Sequence, residues 1–231
     1  MTTVLKGISS MATRQVLGEL ARDWERRTGH KVAIESVGGV DAARRVAAGE
    51  AFDVVFLASD AIDKLIAGGH AVAGSRVDLV DSGVAIAVKA GALRPDVSSE
   101  EALRRAVLAA PTVGYSTGPS GVALVKLFER WGIAQELQGR LVQAQPGIPV
   151  GALVARGEVA LGFQQLSELV HVEGITIVGP MPAAVAIDTT FSGAVCTVST
   201  QAGVVRELLA FMAGPEAAEA KRRNGMEPAA S

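Results

Sequence analysis

The chain has 231 residues, of which 49% are apolar and 20% are charged, so length and composition predict a packed globular protein and exclude a disordered one. The 22 basic and 24 acidic residues nearly balance and form no basic block, so we expect no nucleic-acid-binding surface and no polybasic membrane patch. The single cysteine, Cys196, excludes an internal disulfide and a cysteine-based metal cluster. Three scattered histidines indicate no metal site, and we expect no cofactor.

The first eight residues do not form the basic start and apolar run of a secretory signal. Two interpretations of location stay open: a cytoplasmic protein, or a periplasmic protein whose export signal has been removed. No run of about 18 apolar residues occurs, so we expect no direct insertion into a membrane.

The first half of the chain alternates strand-like and helix-like segments. Residues 53–58 are almost wholly apolar, which is typical of a central parallel strand buried on both faces. The apolar spacing of residues 17, 20, 21 and 24 predicts a helix. Strands are predicted at 4–8, 31–36, 53–58 and 83–88, and helices at 14–27, 41–48 and 61–67, with another that begins at Ser98 or Ser99.

The second half repeats this alternation. Strands are predicted at 112–115, 141–145, 159–163 and 175–178, an extended segment at 191–198, and helices at 122–131, 151–156, 204–213 and 216–223. Two sets of strand–helix units predict an α/β protein with two lobes and a cleft between them. A single doubly wound sheet fits the same periodicity and remains the alternative.

Four predicted strand-to-helix junctions carry small, hydroxylated or glycine residues, at 9–13, 38–40, 116–121 and 147–150. Free backbone N–H groups at a helix start, together with the helix dipole, can hold an anion without a cationic side chain. Any one such loop is more simply an ordinary cap or turn. Four of them at the carboxyl ends of strands predict an anion site, and no dinucleotide-binding, P-loop or nucleophile-elbow motif is present.

Several segments in order along the chain resemble the periplasmic molybdate-binding proteins and their relatives. These are LKGISSMA at 5–12, ARRVAAGEAFDVV at 43–55, STGPSG at 116–121, LVARGE at 153–158 and GPEAA at 214–218. The resemblance implies a two-lobe type II periplasmic-binding-protein fold, each lobe a mixed sheet flanked by helices, with the ligand cleft between the lobes. We expect one lobe to contain residues 1–82 and 190–231 and the other to contain residues 83–189. If the protein is exported, the resemblance also implies the membrane subunits of an ABC transporter as partners.

Two departures from the family pattern bear on the ligand. The second loop contains Gly38, Gly39 and Val40 where the molybdate-binding relatives carry serines, and Gln165 stands where they carry a tyrosine. Glycine enlarges a site and an amide adds both a donor and an acceptor, which favours a planar organic carboxylate over molybdate. The predicted ligand-binding residues are Ser9, Ser10, Met11, Ala12, Gly38, Gly39, Val40, Ser59, Tyr115, Ser120, Gly121, Val150, Gln164 and Gln165. Arg14 is either a carboxylate clamp or a solvated residue of the first helix.

One branch of the family resembles aconitate isomerase, which moves a double bond in a tricarboxylate. An allylic proton shift needs a base and an acid beside the substrate carbon. The candidates are Glu35, Asp60, Tyr115 and His171, and the sequence singles out no pair among them. The first interpretation is therefore a binding protein for a small anion, with an isomerase of unsaturated carboxylates as the alternative and a ligand-sensing domain as a third possibility.

Overall fold

The structure is a computed structural model, and it describes residues 2–230. The chain forms two compact units. The first contains the chain up to Ser82 and again from Thr189 onward, and the second contains Gly83–Asp188. None of the described helices is long and apolar enough to cross a membrane.

The elements alternate strand and helix through most of the chain. Up to the point where the chain enters the second unit they are β1 (Val4–Ser10), α1 (Arg14–Thr28), β2 (Lys31–Val37), α2 (Gly39–Ala47), β3 (Val54–Ala58), α3 (Ser59–Ala67) and β4 (Val77–Lys89). They continue with α4 (Glu100–Ala109), β5 (Val113–Tyr115), α5 (Pro119–Arg130), β6 (Leu141–Gln143), α6 (Val150–Ala155), β7 (Leu161–Gln165), α7 (Leu166–Leu169) and β8 (Ile175–Pro180). The last are β9 (Asp188–Val195), α8 (Ala202–Ala213), α9 (Ala218–Arg223) and β10 (Glu227–Pro228).

In the first unit, β1 is the central parallel strand. It pairs in parallel with β2 and with β3, and β3 pairs antiparallel with β9. Apolar side chains of α1 and α8 cover one face of this sheet, while α2 and α3 supply the core on the other. All five residues of β3 are buried, which confirms the prediction of a central strand shielded on both faces.

In the second unit, β5 pairs in parallel with both β6 and β7. The second part of β4 pairs antiparallel with β7 and with β8, which makes this sheet mixed as well. The larger core cluster lies against α4 and α5, and smaller clusters lie under α6 and α7. Ser99, one of the two predicted start residues, caps α4: its side chain accepts a hydrogen bond from the Ala102 amide at 3.1 Å.

Several predicted boundaries are wrong. Strand β4 begins at Val77 and not at 83, because its first part belongs to the sheet of the first unit. Strand β7 covers Leu161–Gln165 and not 159–163, since Val159 packs in the small core under α6 and the parallel ladder with β5 begins at Leu161. Strand β9 ends at Val195, because Cys196 forms only an isolated bridge with Ala71. Helices α2, α3 and α5 begin two or three residues earlier than predicted, and α7 and β10 are too short to show a periodic pattern.

Candidate anion-binding site

The predicted ligand residues of the first unit lie at one edge of its sheet. Strands β1, β2 and β3 are parallel, so their carboxyl ends meet at the same edge. After β1 comes a 3-10 turn at Met11–Thr13 that leads into α1, and α2 and α3 begin directly at Gly39 and Ser59. The structure therefore brings together residues 9–12, residues 38–40 and Ser59.

Two neighbouring serines at the end of β1 have different environments. Ser9 is fully buried, and its hydroxyl lies 2.8 Å from Ser36 Oγ and donates to the carbonyl of Ser10 at 3.0 Å. Ser10 is also buried, yet its Oγ has no hydrogen-bond partner among the described residues. A buried hydroxyl left unpaired costs about 1–3 kcal/mol, which distinguishes Ser10 from the bonded Ser9 beside it.

Gly39 borders the Ser10 side chain. A Cβ placed on Gly39 would lie 3.7 Å from the Cβ of Ser10, an ordinary van der Waals distance, so the start of α2 packs directly beside Ser10. Val40, the next residue, is 81% exposed and adds an apolar surface at the same helix start.

The hydroxyl of Ser59 is engaged within the protein. Ser59 Oγ donates to the carbonyl of Thr190 at 3.1 Å and lies 2.6 Å from Ser192 Oγ, which donates to Asp78 Oδ1 at 2.6 Å. Asp78 also pairs with Arg76 at 2.9 Å, and this guanidinium and the Ser192 hydroxyl lower the pKa of the Asp78 carboxyl. Ser59 thus joins α3 to β9 and β4, and what it offers a ligand is the backbone at the start of α3.

The predicted ligand residues of the second unit also share one edge. Strands β5, β6 and β7 are parallel, so Tyr115, the start of α6 at Val150 and the end of β7 at Gln165 lie at the same side of the sheet. The loop after β5 turns tightly into α5. A Cβ on Gly121 would lie 1.8 Å from the carbonyl oxygen of Ser116, so only glycine fits there. Ser120 is buried in the first turn of α5, and its hydroxyl oxygen lies 3.2 Å from the hydroxyl oxygen of Ser116.

Two adjacent glutamines close β7, and both are buried. Gln164 Oε1 accepts a hydrogen bond from the amide of Gly151 at 3.1 Å, in the first turn of α6. The Gln164 side chain also bonds to the carboxyl group of Glu168, which lies in α7. Burial raises the pKa of the Glu168 carboxyl to about 7, although the bond from Gln164 opposes the shift.

Glu168 is the residue of this edge that the sequence reasoning missed. It lies in a four-residue helix directly after β7, in the segment Leu166–Leu169. The available signal is a lone carboxylate between Ser167 and Leu169, three residues after a glutamine predicted to bind ligand. Burial raises the pKa of a carboxyl group that has no positive charge nearby, but the sequence alone does not show that Glu168 is shielded from solvent.

The other candidate acids, bases and clamps lie apart from these edges or face solvent. Arg14 is exposed, and so is His171. Glu35 forms a surface ion pair with Arg45 at 2.7 Å, and the side chain of Asp60 is 68% exposed and 3.8 Å from Lys64. Tyr115 is half-buried and packs against the core of the second unit. Among residues 2–230, no three His, Cys, Asp or Glu side chains converge as a metal site would require.

Comparisons with known proteins agree on one family. Residues 5–227 match the family of bacterial extracellular solute-binding proteins. An aconitate isomerase from a Pseudomonas species is 40% identical to this chain, over 98% of this chain and 88% of that protein.

Solved structures share the fold at low sequence identity. The periplasmic molybdate-binding protein of Azotobacter vinelandii superposes with a TM-score of 0.79 at 22% identity, covering 96% of this chain and 98% of that one. The tungstate-binding protein of Desulfovibrio alaskensis superposes with a TM-score of 0.73 at 15% identity, covering 100% of both chains. The fold is thus the two-lobe type II fold of periplasmic binding proteins, and the chain belongs to the bacterial extracellular solute-binding protein family.

Proposed function

We propose that this protein binds an unsaturated organic carboxylate of the aconitate type and moves its double bond. The observation that carries this proposal is the 40% identity to an aconitate isomerase along nearly the whole chain. At the sheet edge of each unit, the helix starts described above can hold a carboxylate group through their free backbone N–H groups.

The donors at these edges support a carboxylate. Ser10 supplies a buried hydroxyl that has no partner among residues 2–230, and Gln165 carries a buried side-chain amide, a group with donor and acceptor atoms. Gly39 packs beside Ser10 without a side chain of its own, and the exposed Val40 offers a hydrocarbon surface. A tricarboxylate carries several planar anionic groups spread along a carbon skeleton, and donors contributed by several loops fit such a distribution of charge.

The reaction is an allylic proton shift without change in composition. A base removes a proton from the methylene carbon of aconitate, the electron pair of that C–H bond forms the new double bond, and the old double bond opens toward its far carbon. That far carbon then takes up a proton, so one C–H bond breaks and one forms. Helix-start amides that hold the adjacent carboxylate stabilise the negative charge that develops on it during the shift.

A second candidate is a binding protein without catalysis. Two solved structures with this fold are named as a molybdate-binding and a tungstate-binding protein, which favours an anion-binding receptor in the periplasm. In that case the partners would be the membrane subunits of an ABC transporter.

Proton NMR separates the two candidates. The purified protein is incubated with cis-aconitate and, separately, with trans-aconitate, and the vinyl signals are followed over time against a protein-free control. Isomerase activity predicts that both samples reach the same mixture of isomers. If aconitate stabilises the protein against heat but neither sample changes, the protein is a receptor; if aconitate neither binds nor changes, the carboxylate proposal is wrong.

A further inference from the structure

A groove on the second unit is lined by none of the predicted ligand residues. It encloses about 520 Å3 between residues 94–98, which precede α4, and residues 178–183, which include the end of β8. Small-molecule sites in proteins commonly enclose about 300–1,000 Å3. Strand β4 pairs with β7 on one side and with β8 on the other, so it separates β8 from Gln164 and Gln165. The groove is therefore distinct from the sheet edge described above.

The floor of the groove is apolar and is held by the core of the second unit. Met181 is 4% exposed and belongs to the larger core cluster, and Val97 and Val178 pack against that cluster. The ladder between β4 and β8 passes from Ile177 to Gly179 and leaves Val178 without a partner in β4. A bulge of this kind redirects a side chain, and that of Val178 lines the groove. The apolar floor thus exists before any ligand arrives.

A cation without a counter-charge lies at the rim of this groove. Arg94 lines the groove and is exposed, and its guanidinium forms no ion pair with any of residues 2–230. Asp96 lies close in sequence, but its Oδ1 accepts hydrogen bonds from the Ser98 hydroxyl at 2.7 Å and the Ser98 amide at 3.0 Å. These bonds, together with the Arg105 guanidinium, lower the pKa of the Asp96 carboxyl. The charge of Asp96 is thus stabilised without Arg94.

We propose that this groove is a second binding site, which takes a small organic anion with one carboxylate and an apolar body. The Arg94 guanidinium pairs with the carboxylate, because its planar N–H groups match the two carboxylate oxygens. The apolar body lies on Val97, Val178 and Met181, and its removal from water contributes to the affinity. An inorganic oxyanion would leave this floor in water, and an amine would bring a second cation beside Arg94. The proposal is independent of the function proposed above.

Phenylacetate is the probe, because it joins one carboxylate to one aromatic ring. Binding is measured by NMR titration of the isotope-labelled full chain, in which the backbone amides of residues 94–98 and 178–183 report occupation of the groove. Two further compounds separate the parts of the ligand: phenethylamine has the ring with an ammonium group, and acetate has the carboxylate without the ring. We expect both to bind at least about 10-fold more weakly than phenylacetate.

Two matched pairs of variants test the groove and its cation separately. Ala183 and Ala184 are both exposed, and Ala183 lines the groove whereas Ala184 does not. We expect Ala183→Trp to fill the groove and weaken phenylacetate binding about 10-fold or more, and Ala184→Trp to leave it unchanged. Arg94→Gln should weaken binding about 10-fold. Its control is Arg206→Gln, since Arg206 is exposed on α8 and forms no ion pair among the described residues.

Three results would overturn the inference. The first is that phenylacetate leaves the amides of residues 94–98 and 178–183 unshifted, or shifts only those of the predicted ligand residues. The second is that Arg94→Gln keeps its affinity or that phenethylamine binds as tightly, because the groove then does not select an anion. The third is an equal loss of affinity in Ala183→Trp and Ala184→Trp. None of these results bears on the isomerase proposal, which is tested with aconitate.

Discussion

The backbone amide of Gly151 donates a 3.1 Å hydrogen bond to Oε1 of Gln164. One of the free N–H groups at the start of α6 is therefore satisfied by a buried side chain of β7. The bond leaves the nitrogen of the Gln164 amide to face Glu168, so that one glutamine joins a helix start, a strand end and a half-buried carboxyl group. Gln164 thus links three elements of the second unit through its side chain.

Replacing Gln164 tests these links. Gln164→Leu keeps most of the side-chain volume but leaves the Gly151 amide and the Glu168 carboxyl without their partner. We expect the free energy of unfolding to fall by about 1–3 kcal/mol in urea titrations. We also expect the pKa of Glu168 to rise, because the removed bond lowers it. An unchanged unfolding free energy would show that the Gln164 bonds contribute nothing to the fold.

The two serines at the end of β1 provide a matched pair of substitutions. Ser10→Ala removes a hydroxyl with no protein partner, so we expect unchanged or slightly higher stability and about a 10-fold loss of aconitate affinity. Ser9→Ala removes a hydroxyl bonded to Ser36 and to the Ser10 carbonyl, so we expect stability to fall by about 1 kcal/mol with little change in affinity. Thermal melting and titration calorimetry measure both effects. The reverse pattern would exclude Ser10 from the ligand site.

The tight turn after β5 is tested by two glycine substitutions. Gly121→Ala places a Cβ 1.8 Å from the Ser116 carbonyl oxygen, and relief of this overlap requires the backbone of the loop to move. We expect a loss of about 3 kcal/mol in the free energy of unfolding. Gly118→Ala meets nothing closer than 4.0 Å and should cost less than about 1 kcal/mol. Equal stability of the two variants would contradict the turn geometry described above.

Acid should weaken the hydrogen-bond network that connects Ser59 to Asp78, because Asp78 takes up a proton. The Arg76 guanidinium lowers the pKa of Asp78 below its ordinary value of 3.8, so the ionised carboxylate stabilises the fold above that value. This stabilisation is lost as pH falls through the lowered pKa, when the carboxylate takes up a proton. We expect Asp78→Asn to lower stability at pH 7 by about 1 kcal/mol, with the difference from wild type shrinking below about pH 3.8. The control is Glu101→Gln, since Glu101 forms an exposed pair with Arg105 and should change stability little.

Local patterns in the sequence predict most of the elements. The apolar run at 53–58 identifies the central strand β3, and the cap at Ser99 identifies the start of α4, because each signal depends on neighbouring residues alone. The four-residue helix α7 contains about one turn, which is too short to show a helical period. The resemblance to the periplasmic molybdate-binding proteins predicts the two-lobe fold into which these elements assemble.

The roles of individual site residues depend on contacts between distant parts of the chain. Ser59 is bonded to Ser192, 133 residues later, so its sequence context does not reveal that its hydroxyl is occupied. Ser9 and Ser10 are identical residue types side by side, and only the strand register places one against Ser36 and leaves the other unpaired. The pKa of Glu168 likewise follows from burial in the assembled unit, which no local pattern encodes.

A comparison of ligand affinities tests most directly whether the protein binds an organic carboxylate in preference to an inorganic anion. Titration calorimetry of the purified protein with cis-aconitate, trans-aconitate, molybdate, tungstate and sulfate, at one pH and ionic strength, gives five affinities on one scale. We predict that an aconitate isomer binds at least about 10-fold more tightly than any of the three inorganic anions, a difference of about 1.4 kcal/mol. Tighter binding of molybdate or tungstate, with no heat from either aconitate, would contradict a carboxylate site.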